Sequence, residues 1–157
     1  GQPAMTSVDP MTRADQFSAL SPEAAARWGR FGHWDREYFT NLVGIDVEEI
    51  RTDYCRMRMP FRPVLEQAAG VVHGGAIATL LDSVVVPAVG CAYDADQNFS
   101  TVDFHATYLS ALVGEDAIAE GWVVKRGRTT VFCEAEIRGA TTERLIARAL
   151  QIGRAHV

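Results

Sequence analysis

The sequence predicts an α+β fold in which a curled antiparallel sheet wraps around one central buried helix, with a helical segment ahead of it. Three observations predict it. Residues 75 to 90 are Ala, Ile, Leu, Val, Ser and Thr on nearly every side, so this helix has no polar face to give to water and belongs in a core. Five other segments, at 45 to 59, 99 to 109, 116 to 125, 129 to 138 and 144 to 153, read as strands, most of them by period-two alternation. The order is one strand, the helix, then four strands in meander, a layout that curls an antiparallel sheet around the helix.

Taken in order, residues 1 to 20 read as a loose tail. Gly1-Gln2-Pro3-Ala4 ahead of Met5 has the look of a cloning remnant, and the Thr, Ser, Asp and Pro that follow carry no pattern. A single folded domain is expected over 21–157. It opens with Ser21-Pro22-Glu23, a helix start with Ser as cap, Pro at the first position and an acid in the first turn. That helix is expected to break near Gly29 or Gly32. From His33 to Leu42 a second helix is expected, because Trp34, Tyr38 and Leu42 recur at helical spacing and pack on one side.

After Gly44, residues 45 to 59 read as one strand, with Cys55, Met57 and Met59 alternating against Tyr54, Arg56 and Arg58. Pro60 and Pro63 end it, and Phe61 to Val72 forms a loop leading into the core helix. Asp94-Ala95-Asp96-Gln97-Asn98 is a polar turn beyond that helix. In the next strand Val102, Phe104, Ala106 and Tyr108 oppose Thr101, Asp103, His105 and Thr107, and the two strands after it flank a hairpin at Arg126-Gly127-Arg128. His105 and Asp103 are read as structural residues of their strand.

The chemistry gathers at the start of the core helix. Gly70-Val71-Val72-His73-Gly74-Gly75 places glycines where a ligand can approach the backbone, and the first turn of a helix has amides with no intrahelical partner at the positive end of its dipole. Such a turn is a cradle for a developing oxyanion. Asp82 is the only charge within the apolar run, and a carboxylate there is either satisfied by a specific partner or kept for chemistry. Gly74 and Asp82 are eight residues apart, roughly 12 Å along one helix axis. One copy cannot bring both to the same carbonyl carbon. If both act on one substrate, the cradle of one subunit works with Asp82 of the partner subunit across a two-fold axis.

The string His73-Gly74-Gly75 with Asp82 eight after Gly74, followed by Ser100-Thr101-Val102-Asp103-Phe104-His105-Ala106-Thr107-Tyr108-Leu109, resembles the hotdog-fold acyl-CoA thioesterases of the PaaI-like and 4-hydroxybenzoyl-CoA thioesterase group. The resemblance covers about residues 40 to 152. It implies that the Gly74 N–H polarises a thioester carbonyl, that His73 shapes the turn, and that Asp82 is the nucleophile or general base. Gln67 falls where many PaaI-like members have Asn and where the 4-hydroxybenzoyl-CoA group is similar in having Gln. Thr101 falls where a hydroxyl helps hold water. Gly75, Arg126 and Arg128 are further candidates for substrate contact, the two arginines lying where related thioesterases place cations for the phosphates of coenzyme A. The resemblance also implies a dimer or a dimer of dimers, with coenzyme A as part of the substrate and no separate cofactor. Two other functions compete: a non-catalytic acyl-CoA sensing module, and a hydratase acting on enoyl thioesters.

Composition narrows the field independently. A chain of 157 residues with 48% hydrophobic and 22% charged residues is one domain's worth and is not a disordered chain. A formal net charge of −5 opposes binding to nucleic acid. Cys55, Cys91 and Cys133 are odd in number, far apart and in apolar settings, which favours a reduced, cytoplasmic chain over a disulfide framework. The histidines His33, His73, His105 and His156 show no zinc-site spacing, and the sequence shows neither a leader nor a span for a membrane.

Overall fold

A computed structural model describes residues 12–93 and 97–156, the last of these by its backbone. Helices α1 (Pro22–Trp28), α2 (Phe39–Val43) and α3 (Gly74–Gly90) accompany six strands: β1 (Asp46–Arg51), β2 (Tyr54–Met59), β3 (Asn98–Tyr108), β4 (Ala117–Arg126), β5 (Thr130–Gly139) and β6 (Leu145–His156). All pairings are antiparallel, in the order β1-β2-β4-β5-β6-β3.

The curled sheet around a central helix is therefore present, with α3 as that helix. Its Leu80, Leu81, Val84 and Val85 are fully buried against Cys55, Met57 and Met59 of β2 and the inward residues of β4 to β6. Each such aliphatic side chain contributes about 1.5–3 kcal/mol of burial. Close approach needs a gap in the sheet, and Gly121 provides it: a Cβ there would lie 2.9 Å from Val84.

Three expectations about elements are corrected. Residues 45 to 59 are two strands, because Asp53 adopts φ +64° and reverses the chain. Asp is among the residues that tolerate this conformation, and here its carboxylate is gripped by Arg126 at 2.7 and 3.0 Å. The helix expected over His33 to Leu42 shrinks to α2. Tyr38 is extended and its N–H is capped by the Asn41 side chain at 3.0 Å, so the helix begins only after it. The apparent period of its aromatics arises from a chain of ring contacts, Trp28–Phe31–Trp34–Tyr38, with centroids 5.8, 5.1 and 5.2 Å apart. Lastly, the meander holds for β4, β5 and β6 only. With β2 and β5 already flanking β4, β3 pairs with β6 and forms the far edge.

Residues 12–17 lie against the sheet, with Phe17 stacked on Tyr54 at 5.0 Å. The Arg13 guanidinium sits 4.1 Å over Trp122 and 3.0 Å from Glu136, while the Arg13 N–H donates to Glu120. Both glutamates are nearly buried, at 5% and 6% exposure, so this strap supplies the charge and the donors that they need. The tail at 1–11 and Asp94-Ala95-Asp96 of the polar turn lie outside the described residues. Elsewhere α1 starts with the Ser21 hydroxyl accepting from the Ala24 N–H and ends at Gly29, as its sequence signals predict.

Candidate active site

The first turn of α3 is built by His73. As N-cap residue its Nδ1 accepts the Gly75 N–H at 2.8 Å, and its carbonyl accepts from the amides of Ala76 and Ile77. Of the first-turn amides, this leaves the Gly74 N–H for a ligand. Hydrogen bonds accepted by the His73 carbonyl polarise the same peptide unit and strengthen that N–H as a donor. Gly75, expected as a substrate contact, has its amide on His73. A Cβ on Gly75 would come 3.0 Å from the His73 ring, so the glycine is what lets the ring close over the turn.

Two further residues frame this turn. Tyr108, at the end of β3, donates its hydroxyl to the Gly74 carbonyl at 2.9 Å. Gln67 shares a cavity of about 350 Å³ with Gly74 and Tyr108, and its Oε1 accepts the Ala69 N–H at 2.7 Å, which leaves the side-chain NH₂ for a ligand.

Asp82 forms a second cluster two turns further along α3. Its Oδ1 accepts from the Thr101 hydroxyl at 2.8 Å and from Gln151 Nε2 at 3.2 Å. Gln151 also donates to the Thr101 oxygen at 2.8 Å, closing a triangle. Gln151 is 4% exposed and, like Tyr108, was missed by the sequence reading. The signal was present: along β6 the inward positions are Ala147, Ala149, Gln151, Gly153 and Ala155, so one amide interrupts a row of small residues.

Thus the structure brings His73, Gly74, Gly75 and Gln67 together at one end of α3, and Asp82 with Thr101 further along it. The arginines sit elsewhere. Arg126 spends its guanidinium on Asp53 and on the Ala88 carbonyl, at 2.9 Å, near the opposite end of α3 from Gly74. Arg128 is exposed in the β4–β5 turn. The three cysteines are free and buried, and burial pushes the Cys133 thiol up to about 12. Among the described residues no group of three or more His, Cys, Asp or Glu is placed to hold a metal ion, and no helix is long and apolar enough to cross a membrane.

A long helix wrapped by a curled antiparallel sheet is the hotdog class of fold. The chain belongs to the thioesterase superfamily, which it matches over residues 69–146. It is 37% identical to human acyl-coenzyme A thioesterase 13 over 82 residues, which are 52% of this chain and 58% of that protein. Against the mouse protein of the same name it is 36% identical over 50% of this chain and 56% of the relative. The chain thus spans a little over half the length of these relatives. It is 32% identical over 102 residues to a Halobacterium salinarum protein bearing an esterase name, covering 62% of this chain and 67% of that one. The fold is shared with PaaI of the phenylacetic acid degradation operon of E. coli, at TM-score 0.77, 16% identity and 88% and 97% coverage. A thioesterase family protein of Silicibacter pomeroyi gives TM-score 0.76 at 24% identity, covering 85% of this chain and 98% of that one.

Proposed function

We propose that this protein hydrolyses an acyl-CoA thioester to a free acid and coenzyme A, with the Gly74 amide of one subunit and Asp82 of the partner subunit acting on the same carbonyl. The observation that carries this reading is the Asp82 triangle. Thr101 and Gln151 both donate to Oδ1, so the carboxylate is held by one oxygen and Oδ2 is turned to other work. A carboxylate fixed in this way can take a proton from water or attack the thioester itself. In either route the carbonyl oxygen gathers negative charge against the Gly74 N–H at the helix N-terminus. Oxygen from water ends on the acyl carbon, the C–S bond breaks, and coenzyme A leaves as its thiol. No metal and no separate cofactor enter these steps.

Support for a second copy comes from β3. Among the described residues one side of this edge strand carries no partner strand, and Val102, Tyr108 and Leu109 along and just beyond it are 58%, 54% and 51% exposed. An unpaired strand edge, with its row of free backbone N–H and C=O groups, invites pairing with another chain. Pairing the same strands about a two-fold axis sets the two α3 helices running in opposite directions, as the 12 Å separation of the two half-sites requires. The assembly is then a homodimer, or a dimer of dimers forming a homotetramer. A reducing, cytoplasmic setting accords with three free buried cysteines. The exposed Arg128 is the cation left to meet the phosphates of coenzyme A.

The test is thiol release from a panel of aromatic and aliphatic acyl-CoAs, with the wild-type chain beside Asp82→Asn. Turnover falling by about 10²–10⁴ in the variant, at unchanged oligomeric mass, is the expected result. Binding without thiol release would favour a sensing module instead, and ultraviolet change at an enoyl double bond would favour a hydratase. A fully active monomer would overturn the shared site.

A further inference from the structure

Beside the Gly74 N–H stands a hydroxyl whose proton is already committed. Tyr108 donates it to the Gly74 carbonyl at 2.9 Å. A carbonyl only accepts, so the phenol oxygen has lone pairs and no hydrogen to offer to anything else. The side chain is held there from two directions. Behind it the Leu109 and Ser110 N–H groups both donate to the Ile146 carbonyl, at 2.8 and 3.1 Å, which fixes the backbone at the end of β3. In front, the ring lies against Gly74, where a Cβ would come 3.4 Å from the ring edge and 3.6 Å from the hydroxyl oxygen. The acceptor and the Gly74 N–H thus flank the same glycine.

Tyr108 is 54% exposed and shares the cavity of about 350 Å³ with Gly74 and Gln67. The Gly74 N–H and the Gln67 NH₂ are donors there, and Tyr108 adds an acceptor. A hydrocarbon acyl group carries no hydrogen for such an oxygen. The arm of coenzyme A does: beyond the sulfur, its cysteamine unit ends in an amide N–H that lies within about 5 Å of the thioester carbon. The exposure of Tyr108 also places it where a substrate passes out to solvent, which is the course that the polar remainder of coenzyme A must take.

We propose that Tyr108 is a substrate-binding residue whose hydroxyl oxygen accepts the cysteamine amide N–H while the Gly74 N–H takes the thioester oxygen. This rests on the thioesterase reading for the bond that is cleaved, but not for the arm that is bound. The substrate is then gripped on both sides of its C–S bond, which orients the carbonyl before reaction. The same oxygen discriminates against an arm with an ester in place of the amide, because two acceptors then meet with no hydrogen between them.

The experiment is calorimetric titration with two uncleavable 2-oxooctyl thioethers of coenzyme A, one with the natural cysteamine amide and the other with an ester oxygen in place of that N–H. The wild-type protein is expected to bind the amide compound about tenfold more tightly. Tyr108→Phe keeps a ring on Gly74 and removes only the hydroxyl. It is expected to bring the affinity ratio toward one by weakening the amide compound, with the ester compound bound no more weakly than by wild type. A tyrosine that merely braces the helix start would instead weaken both compounds alike. That result, equal affinities in the wild-type protein, a ratio that survives Tyr108→Phe, or failure of both compounds to bind would overturn the proposal. Because the readout is binding, a protein that shows the amide preference but releases no thiol from any thioester refutes the proposed function alone. Turnover without the preference refutes this inference alone.

Discussion

Gly74 occupies the first position of α3, and in the proposed mechanism its contribution is one N–H. Proline at this helix position keeps the helical backbone and deletes the N–H. His73 before it already has φ −59° and ψ 134°, the region that a following proline favours. Gly74→Pro is therefore expected to lower kcat by about 10²–10³ while the far-ultraviolet dichroism stays unchanged. At the other half-site, Gln151→Leu removes a hydrogen bond to a charged carboxylate and is expected to lower kcat about ten- to a hundredfold with little change in KM. As a positioning residue Gln151 should also shift the pH profile of kcat, which a loss confined to packing would not do. Residue types alone singled out Gly74 and Asp82, a glycine at a helix start and a lone charge in an apolar run, whereas Thr101 was named only through the family resemblance. Tyr108 and Gln151 were missed because alternation along a strand gives the face of a side chain and not its partner. Arg126 illustrates the converse: a hairpin arginine looks solvated in sequence, and its partner Asp53 comes from another turn.

At the scale of elements, α3 and the strand pattern were legible because a helix apolar on nearly every side must be covered on several sides, and the period-two segments supply a sheet to cover it. What the sequence did not display was the sharp turn at Asp53 inside an alternating stretch, or the crossing of β3 to the far edge, since both depend on partners distant in sequence. The ring ladder from Trp28 to Tyr38 mimicked a helix through packing alone. Its anchor is testable. Gly90→Ala drives a Cβ into the Trp28 indole, and overpacking of this kind costs about 1–3 kcal/mol. The expected outcome is an earlier denaturant midpoint together with a changed tryptophan emission, as α1 lifts from α3 before the sheet unfolds.

For the molecule as a whole, the proposed sharing of the site between chains predicts complementation. On that proposal Gly74→Pro and Asp82→Asn each disable one half-site, so mixed dimers of the two retain one intact site of two. Co-refolding equal amounts is expected to restore about a quarter of wild-type activity, half of the dimers being mixed. Activity no greater than that of the separate variants would place both groups in one chain. Stability against acid is likewise distributed over the surface. Partial burial pushes the Glu115 carboxyl up, but the amides of Thr142 and Thr141, the Thr142 hydroxyl and nearby Arg144 outweigh it, and the net shift is below 4.5. A depressed carboxyl stabilises the fold above its unfolded value, and that contribution disappears as pH falls through the folded one. Glu115→Gln should thus be less stable than wild type at neutral pH, with the gap narrowing in urea titrations as pH falls through the folded carboxyl's lowered range.

The continuity of α3 bears on how this protein can change over evolutionary time. One residue inserted between Gly74 and Asp82 would turn the acid by about 100° around the axis and carry it away from Thr101 and Gln151. Insertions and deletions are thus barred from this stretch, while the loops on either side remain free to lengthen, so lineages of this fold can diversify what they bind while inheriting the spacing unaltered.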